Sequence, residues 1–226
     1  MSIVAIAFEA RRCPAGYLAY DFPDELPDKR LMAGERPGRY IRPRNKEMQT
    51  IPIDVRDLSS PVCVAFANGS TEQGLLDFAN AYGLPGGGPK NIIPAGRGES
   101  VEALFVMAAF IRGLLDLAVG DDPDHARYAI NKEIKSSSDL HAMPMLEFSA
   151  KKSDLTMALR PTTLWGVMLF ELALIACGSP TLHSCLNCGT LFLTGLHTGR
   201  KGHAKFCSDA CRVAHNLRKK ATSRRS

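Results

Sequence analysis

Long apolar runs are missing from this chain. Its most apolar stretch, Leu164 to Cys177, is about 14 residues long and is interrupted by Glu171, whereas crossing a bilayer takes about 20 apolar residues. No membrane segment is expected. The opening MSIVAIAFEARRC carries no basic stretch before its apolar run, the reverse of a secretory signal, so the chain reads as soluble and cytoplasmic. Its cysteines number seven. An odd count without an export signal argues against a disulfide framework. Catalytic signatures are also missing: there is no Ser/His/Asp set, paired-carboxylate motif, glycine-rich nucleotide fingerprint or H-E-x-x-H. An enzyme is therefore not expected. Internal repeats are absent, and low complexity is confined to the final KKATSRRS.

What is present suits a folded protein of one large domain or one domain plus a small appendage. The 226 residues are 45% hydrophobic and 23% charged, an ordinary composition for a globular chain with a core of its own. The net charge of +5 is unevenly placed. From Leu182 to Ser226 there are nine Lys/Arg against the single Asp209, a net of +8, which leaves −3 for the rest. A near-neutral body with a basic end suggests that the end meets something anionic.

The fold class expected is α+β, with a strand-rich first part and a helical middle. SIVAIAF, GYLAYDF, IPIDV and PVCVAFA (Pro61 to Ala67) read as short strands, and six prolines between Pro14 and Pro52 disfavour long helices there. A helix should start at Ser70 or Thr71, place Leu75, Leu76, Phe78, Ala79 and Tyr82 on one face, and stop at Gly83. The PGGGPK that follows lacks any phosphate-loop context and reads as a connector. Ser100 should cap a helix over Val101 to about Val119. DDPDHARYAINKEIKS reads as a further helix with Pro123 near its start. Residues 145 to 160 suit two strands around Lys151/Lys152, with a helix as the rival. PTTLWGVMLFELALIAC is apolar nearly all round and should form a central core helix, capped by Thr162 or Thr163 and stopped by Gly178. Glu171 within it is read as a charge on that helix's polar side rather than as a catalytic group. Cys13, Cys63 and Cys177 are read as buried thiols.

The remaining four cysteines form two close pairs, Cys185/Cys188 and Cys207/Cys211, separated by 18 residues. Four thiolates can surround one zinc tetrahedrally, and a site closed by four sulfurs leaves no position for water, which favours a structural over a catalytic role. A redox C-x2-C would not need the second pair. The stretch between the pairs suggests a hairpin of TLFL with a returning AKFC, turned through Gly195 and Gly199, before a helix that starts at Ser208 or Asp209. This is a treble-clef layout, its small core formed by Phe192 and Phe206. His183, His197, His203 and His215 surround the motif, but four sulfurs suffice. About 27 residues bury too little on their own, so structural zinc is expected to supply the folding free energy, on the order of 10 kcal/mol in isolated modules.

The block CxxCGxxF, an arginine-containing middle, and FCSDACR followed by a basic helix resemble the C-terminal zinc module of the bacterial CGNR zinc-finger family. LLDFANAYG and LRPTTLWGVMLFELAL look like helices that precede the finger in such proteins. Where the family has Cys-Gly-Asn-Arg this chain has Cys211-Arg212-Val213-Ala214, so it looks like a divergent relative. The resemblance implies an N-terminal domain of the ABATE type over residues 1–180, a zinc module over 181–220 and a basic disordered tail over 221–226. It also implies DNA binding, since family members are described as stress-induced transcription regulators.

The function expected is thus a zinc-finger nucleic-acid-binding protein, a bacterial transcriptional regulator with duplex DNA as partner. Arg200, Lys201, Lys205, Arg212, Arg218, Lys219 and Lys220 are its contact residues, and the larger domain senses a signal or forms a homodimer. The alternative is a protein-interaction or scaffold module held by the same zinc.

Overall fold

The computed structural model of the chain describes residues 4–5, 8–22, 38–54, 58–59, 61–86, 98–119, 123–136, 142–149, 154–161, 163–178, 180–195, 198 and 200–223. Strands and helices are mixed, as the sequence suggests. The first strands are β1 (Val4–Ala5), β2 (Phe8–Arg12), β3 (Tyr17–Phe22), β4 (Gly38–Pro43) and β5 (Gln49–Ile53). Strand β2 pairs antiparallel with β5, Ala10 opposite Ile51, and β3 pairs with β4, Ala19 opposite Ile41.

PVCVAFA is a helix, not a strand: α1 spans Val62–Ala67. Six apolar residues in a row carry no periodicity that separates the two states. The decision comes from far along the chain. The N–H groups of Val62 and Cys63 donate to Glu171 Oε1 and Oε2 at 3.0 and 2.7 Å, so a carboxylate supplies the acceptors that the first helical turn lacks. Glu171 is only 1% exposed. It is a buried cap on a second helix, and its place on a polar, solvated side is corrected accordingly.

Helix α2 (Glu72–Tyr82) starts where expected, with the Thr71 side chain accepting from Gly74 N–H at 3.1 Å. It ends at Gly83, whose φ of +93° and contact with the Arg11 carbonyl leave no room for a Cβ. The short β6 (Glu99–Ser100) adds to β4 and leads into α3 (Val101–Ala118), capped by Ser100. Helix α4 (Pro123–Ser136) follows. Of the expected connector, Pro85 and Gly86 are described, and residues 87–90 lie outside the described residues.

Strands β7 (Ala142–Ser149) and β8 (Asp154–Pro161) form the hairpin expected over 145–160, and β8 also pairs in parallel with β1. Helix α5 (Leu164–Gly178) is central: Trp165, Val167, Met168, Leu172 and Ile175 have no exposed surface. Thr163 caps it through Gly166 N–H at 3.0 Å, and Thr162 lies outside the described residues. Cys13 and Cys63 are buried, whereas Cys177, near the end of α5, is exposed.

The chain then forms β9 (Thr181–Ser184) and β10 (Leu191–Thr194), which pair antiparallel with Leu193 opposite Leu182. It ends in α6 (Asp209–Ser223). The main core runs across residue 180, because Leu191 and Leu193 belong to the same buried cluster as α1, α3 and α5. Among the described residues no helix is long and apolar enough to cross a membrane.

Candidate metal centre

The partner strand of TLFL is the segment before the first cysteine pair, not AKFC behind it. Alternating burial could not distinguish the two. What decides is that Leu182, Leu191 and Leu193 all reach the main core, which draws β9 and β10 together. The first cysteine pair is therefore the turn of the β9–β10 hairpin. Cys185 N–H donates to Thr190 O, and Gly189 N–H returns to Cys185 O at 2.9 Å. Gly189 has a φ of +75°, a left-handed geometry that a tight turn of this kind needs and glycine adopts without strain.

The second pair comes from the start of α6. Ser208 accepts from Cys211 N–H at 3.2 Å and fixes that first turn. Arg200 positions Cys207 by donating from Nη1 to its carbonyl oxygen at 2.6 Å, while the guanidinium lies 5.3 Å from the Phe192 ring centre. Leu186 N–H donates to Lys205 O, which joins the knuckle to the strand of chain entering Cys207.

These connections bring all four Sγ atoms within 4.8 Å of one another. Cys188 and Cys207 are 3.5 Å apart at sulfur, Cys207 and Cys211 3.5 Å, and Cys188 and Cys211 3.7 Å. A tetrahedron with metal–sulfur bonds near 2.3 Å has edges of about 3.8 Å, so this spacing can hold one ion. The same distances are far beyond the roughly 2.05 Å of a disulfide bond. The electrostatics match a multi-thiolate site. Burial raises the Cys185 thiol, but the N–H groups of Cys207, Asn187 and Cys188 outweigh it and bring it down to about 6. Burial and then the neighbouring Cys211, Cys188 and Cys185 sulfurs push Cys207 up to about 12. Asn187 and then Ser208 lower Cys211. Crowding that penalises a fourth bare thiolate is the repulsion a divalent cation relieves.

Among the described histidines, His183 and His215 are engaged with other side chains. His183 Nε2 is 3.0 Å from Thr194 Oγ1, and its ring packs against Phe192. His215 packs against Phe206 at 5.2 Å between ring centres. His203 is exposed, and His197 lies outside the described residues. Phe192 is buried and Phe206 half-buried, as the small core requires.

Of the seven basic residues singled out in the sequence, Lys201, Lys205, Arg212, Arg218, Lys219 and Lys220 are exposed. Arg212 also pairs with Asp209 at 3.0 Å. Arg200 differs: it is half-buried and serves the module's own geometry through Cys207 and Phe192. Helix α6 continues through Ser223, past the expected start of the tail, and residues 224–226 lie outside the described residues.

A residue that sequence reasoning missed joins this segment to the body. Asn68, just after α1, donates from Nδ2 to Leu191 O at 3.1 Å and accepts from Leu191 N–H at 2.8 Å. Its side-chain amide pairs with β10 as another strand would. A lone asparagine after an apolar run carries no sequence signal of that role.

Comparison of the chain with protein-family models, curated proteins and solved structures gave no match. The likeness of its cysteine block to the CGNR zinc module rests on the motifs alone.

Proposed function

We propose that the chain is a zinc-dependent nucleic-acid-binding protein, a transcriptional regulator of the kind its cysteine block resembles. Cys185, Cys188, Cys207 and Cys211 hold a structural zinc. All-sulfur tetrahedral sites are characteristic of zinc or iron–sulfur centres, and a closed four-cysteine site is the structural form for zinc. The ion joins the hairpin knuckle to the first turn of α6 and thereby presents the basic surface.

One observation carries the reading: six cations, on the loop before Cys207 and on α6, are exposed around a single metal cluster in a segment of net charge +8. Each phosphate such cations neutralise releases counterions. If all six engage, log K should fall against log salt with a slope of about −5. Phosphate contacts of this kind position a protein on duplex DNA without reading its sequence.

The test is a salt titration of binding to random-sequence duplex DNA, by zinc-loaded protein and by Cys207→Ser. Steep salt dependence that the variant loses supports a folded reader. Equal binding by both would reduce the effect to unstructured charge, and no binding by either would refute the assignment.

A further inference from the structure

Helix α6 carries a second face built of apolar side chains. Ala210, Val213, Ala214 and Leu217 fall at i, i+3, i+4 and i+7, the spacing of a single helical stripe. In a globular protein such a stripe turns toward the core. Here Val213 is 52% exposed and Leu217 62%, one turn apart. Ala210 is exposed as well, and Ala214 is half-buried. From Asn216 to Lys220 every residue is exposed. The inward side of the helix is another sector, where Cys211 meets the other sulfurs and His215 meets Phe206.

Charge borders the stripe on both sides. Arg218 lies one turn beyond Ala214, and Lys220 one turn beyond Leu217. Arg212 and Lys219, seven residues apart, share a different face of the helix. The helix thus offers a basic face and, separately, an apolar stripe with cationic edges. An apolar seam edged by basic residues is the complement of a helix with a leucine-type stripe edged by glutamate or aspartate. A second copy of α6 fits less well. The described helix holds Arg212, Arg218, Lys219 and Lys220 against Asp209 alone, so two copies repel.

We propose that the Val213–Leu217 stripe of α6 docks an acidic amphipathic helix of a partner protein, on a different face of the helix from Arg212 and Lys219. The inference deepens the nucleic-acid reading by adding a recruitment surface to it, but the two can fail separately.

The experiment uses the full zinc-loaded chain and two fluorescent helical peptides with leucines at i, i+3, i+4 and i+7, one edged with glutamates and one with lysines. The expected result is saturable binding of the glutamate-edged peptide and none of the lysine-edged one. Val213→Ser/Leu217→Ser, and Leu217→Gln alone, should weaken binding at least tenfold. Both variants should keep one zinc per chain and an unchanged circular dichroism spectrum, since the replaced side chains are exposed. Affinity for duplex DNA should stay within about twofold. Equal peptide binding by wild type and variants would overturn the proposal. So would a parallel tenfold loss of DNA affinity, which would assign the stripe to the nucleic-acid contact. A wild-type dimer that the double variant dissociates would also overturn it, by assigning the stripe to a second copy. If wild type fails to bind DNA yet binds the acidic peptide as described, the nucleic-acid reading falls and this one stands.

Discussion

Replacing Glu99 by glutamine should stabilise the protein at alkaline pH and leave it nearly unchanged in acid. Glu99 sits on β6 with 3% of its surface exposed. Its Oε1 accepts from Gly86 N–H at 2.8 Å, while Oε2 has no hydrogen-bond partner among the described residues. Burial raises its carboxyl from 4.5 to about 7, and the single Gly86 bond pulls only weakly the other way. The folded state therefore holds this proton over a range where the unfolded chain has released it. Stability from this group is fully present below pH about 4.5 and is lost as pH rises toward about 7. A difference of about 2.5 units, at 1.36 kcal/mol per unit, makes the loss roughly 3 kcal/mol. Glutamine stays neutral throughout and keeps an oxygen for Gly86. Urea unfolding of both proteins from pH 4 to 8.5 isolates the effect, because every other titrating group is common to the two. The Glu99→Gln minus wild-type difference should rise by about 3 kcal/mol across the interval. A difference that stays flat with pH would refute the reasoning, because Glu99 would then ionise alike in folded and unfolded chains.

Other substitutions address the metal centre and its supports. Purified protein should carry one zinc per chain by native mass spectrometry, and Cys207→Ser should lower zinc affinity at least tenfold in a competition titration with a chromogenic chelator. Arg200→Ala should weaken zinc binding in the same titration because it removes the 2.6 Å bond to the Cys207 carbonyl, whereas Lys201→Ala, at an exposed side chain, should leave zinc affinity unchanged. Glu171→Ala strands the N–H groups of Val62 and Cys63 in the core, which should cost about 3–5 kcal/mol in urea unfolding. Asn68→Ala removes both bonds to Leu191 and should cost about 1–3 kcal/mol, with faster amide exchange in β10 than elsewhere in the core.

Helices with strong local signals were legible in the sequence. The Thr71 and Ser100 caps and the all-apolar α5 follow from capping chemistry and periodicity, which act within a few residues. The four-cysteine cluster was legible for the same reason, since its spacing alone is that of four sulfurs able to hold one ion. The misreadings lie where distant groups decide. PVCVAFA is helical because Glu171, over a hundred residues later, caps it. TLFL pairs with TLHS because their leucines share the main core. Arg200 looked like one more surface cation, and only its proximity to Phe192 and Cys207 shows otherwise. Sequence spacing records none of these long-range partners.

The two cysteine pairs stand on unequal supports. The first is the turn of a hairpin whose Leu191 and Leu193 are buried in the main core and whose backbone is tied to Asn68. That half has reason to persist without metal. The second begins a 15-residue helix that is exposed from Asn216 to Lys220 and rests on Phe206, Arg200 and the shared sulfurs. A helix of that length is marginal in water on its own. An ion held by the four sulfurs would therefore do unequal work, adding little order to the knuckle and most of the order to α6. Both proposed surfaces, the basic face and the apolar stripe, depend on α6 being helical, so removing a bound ion with a chelator should abolish the two proposed interactions together while the body below stays folded.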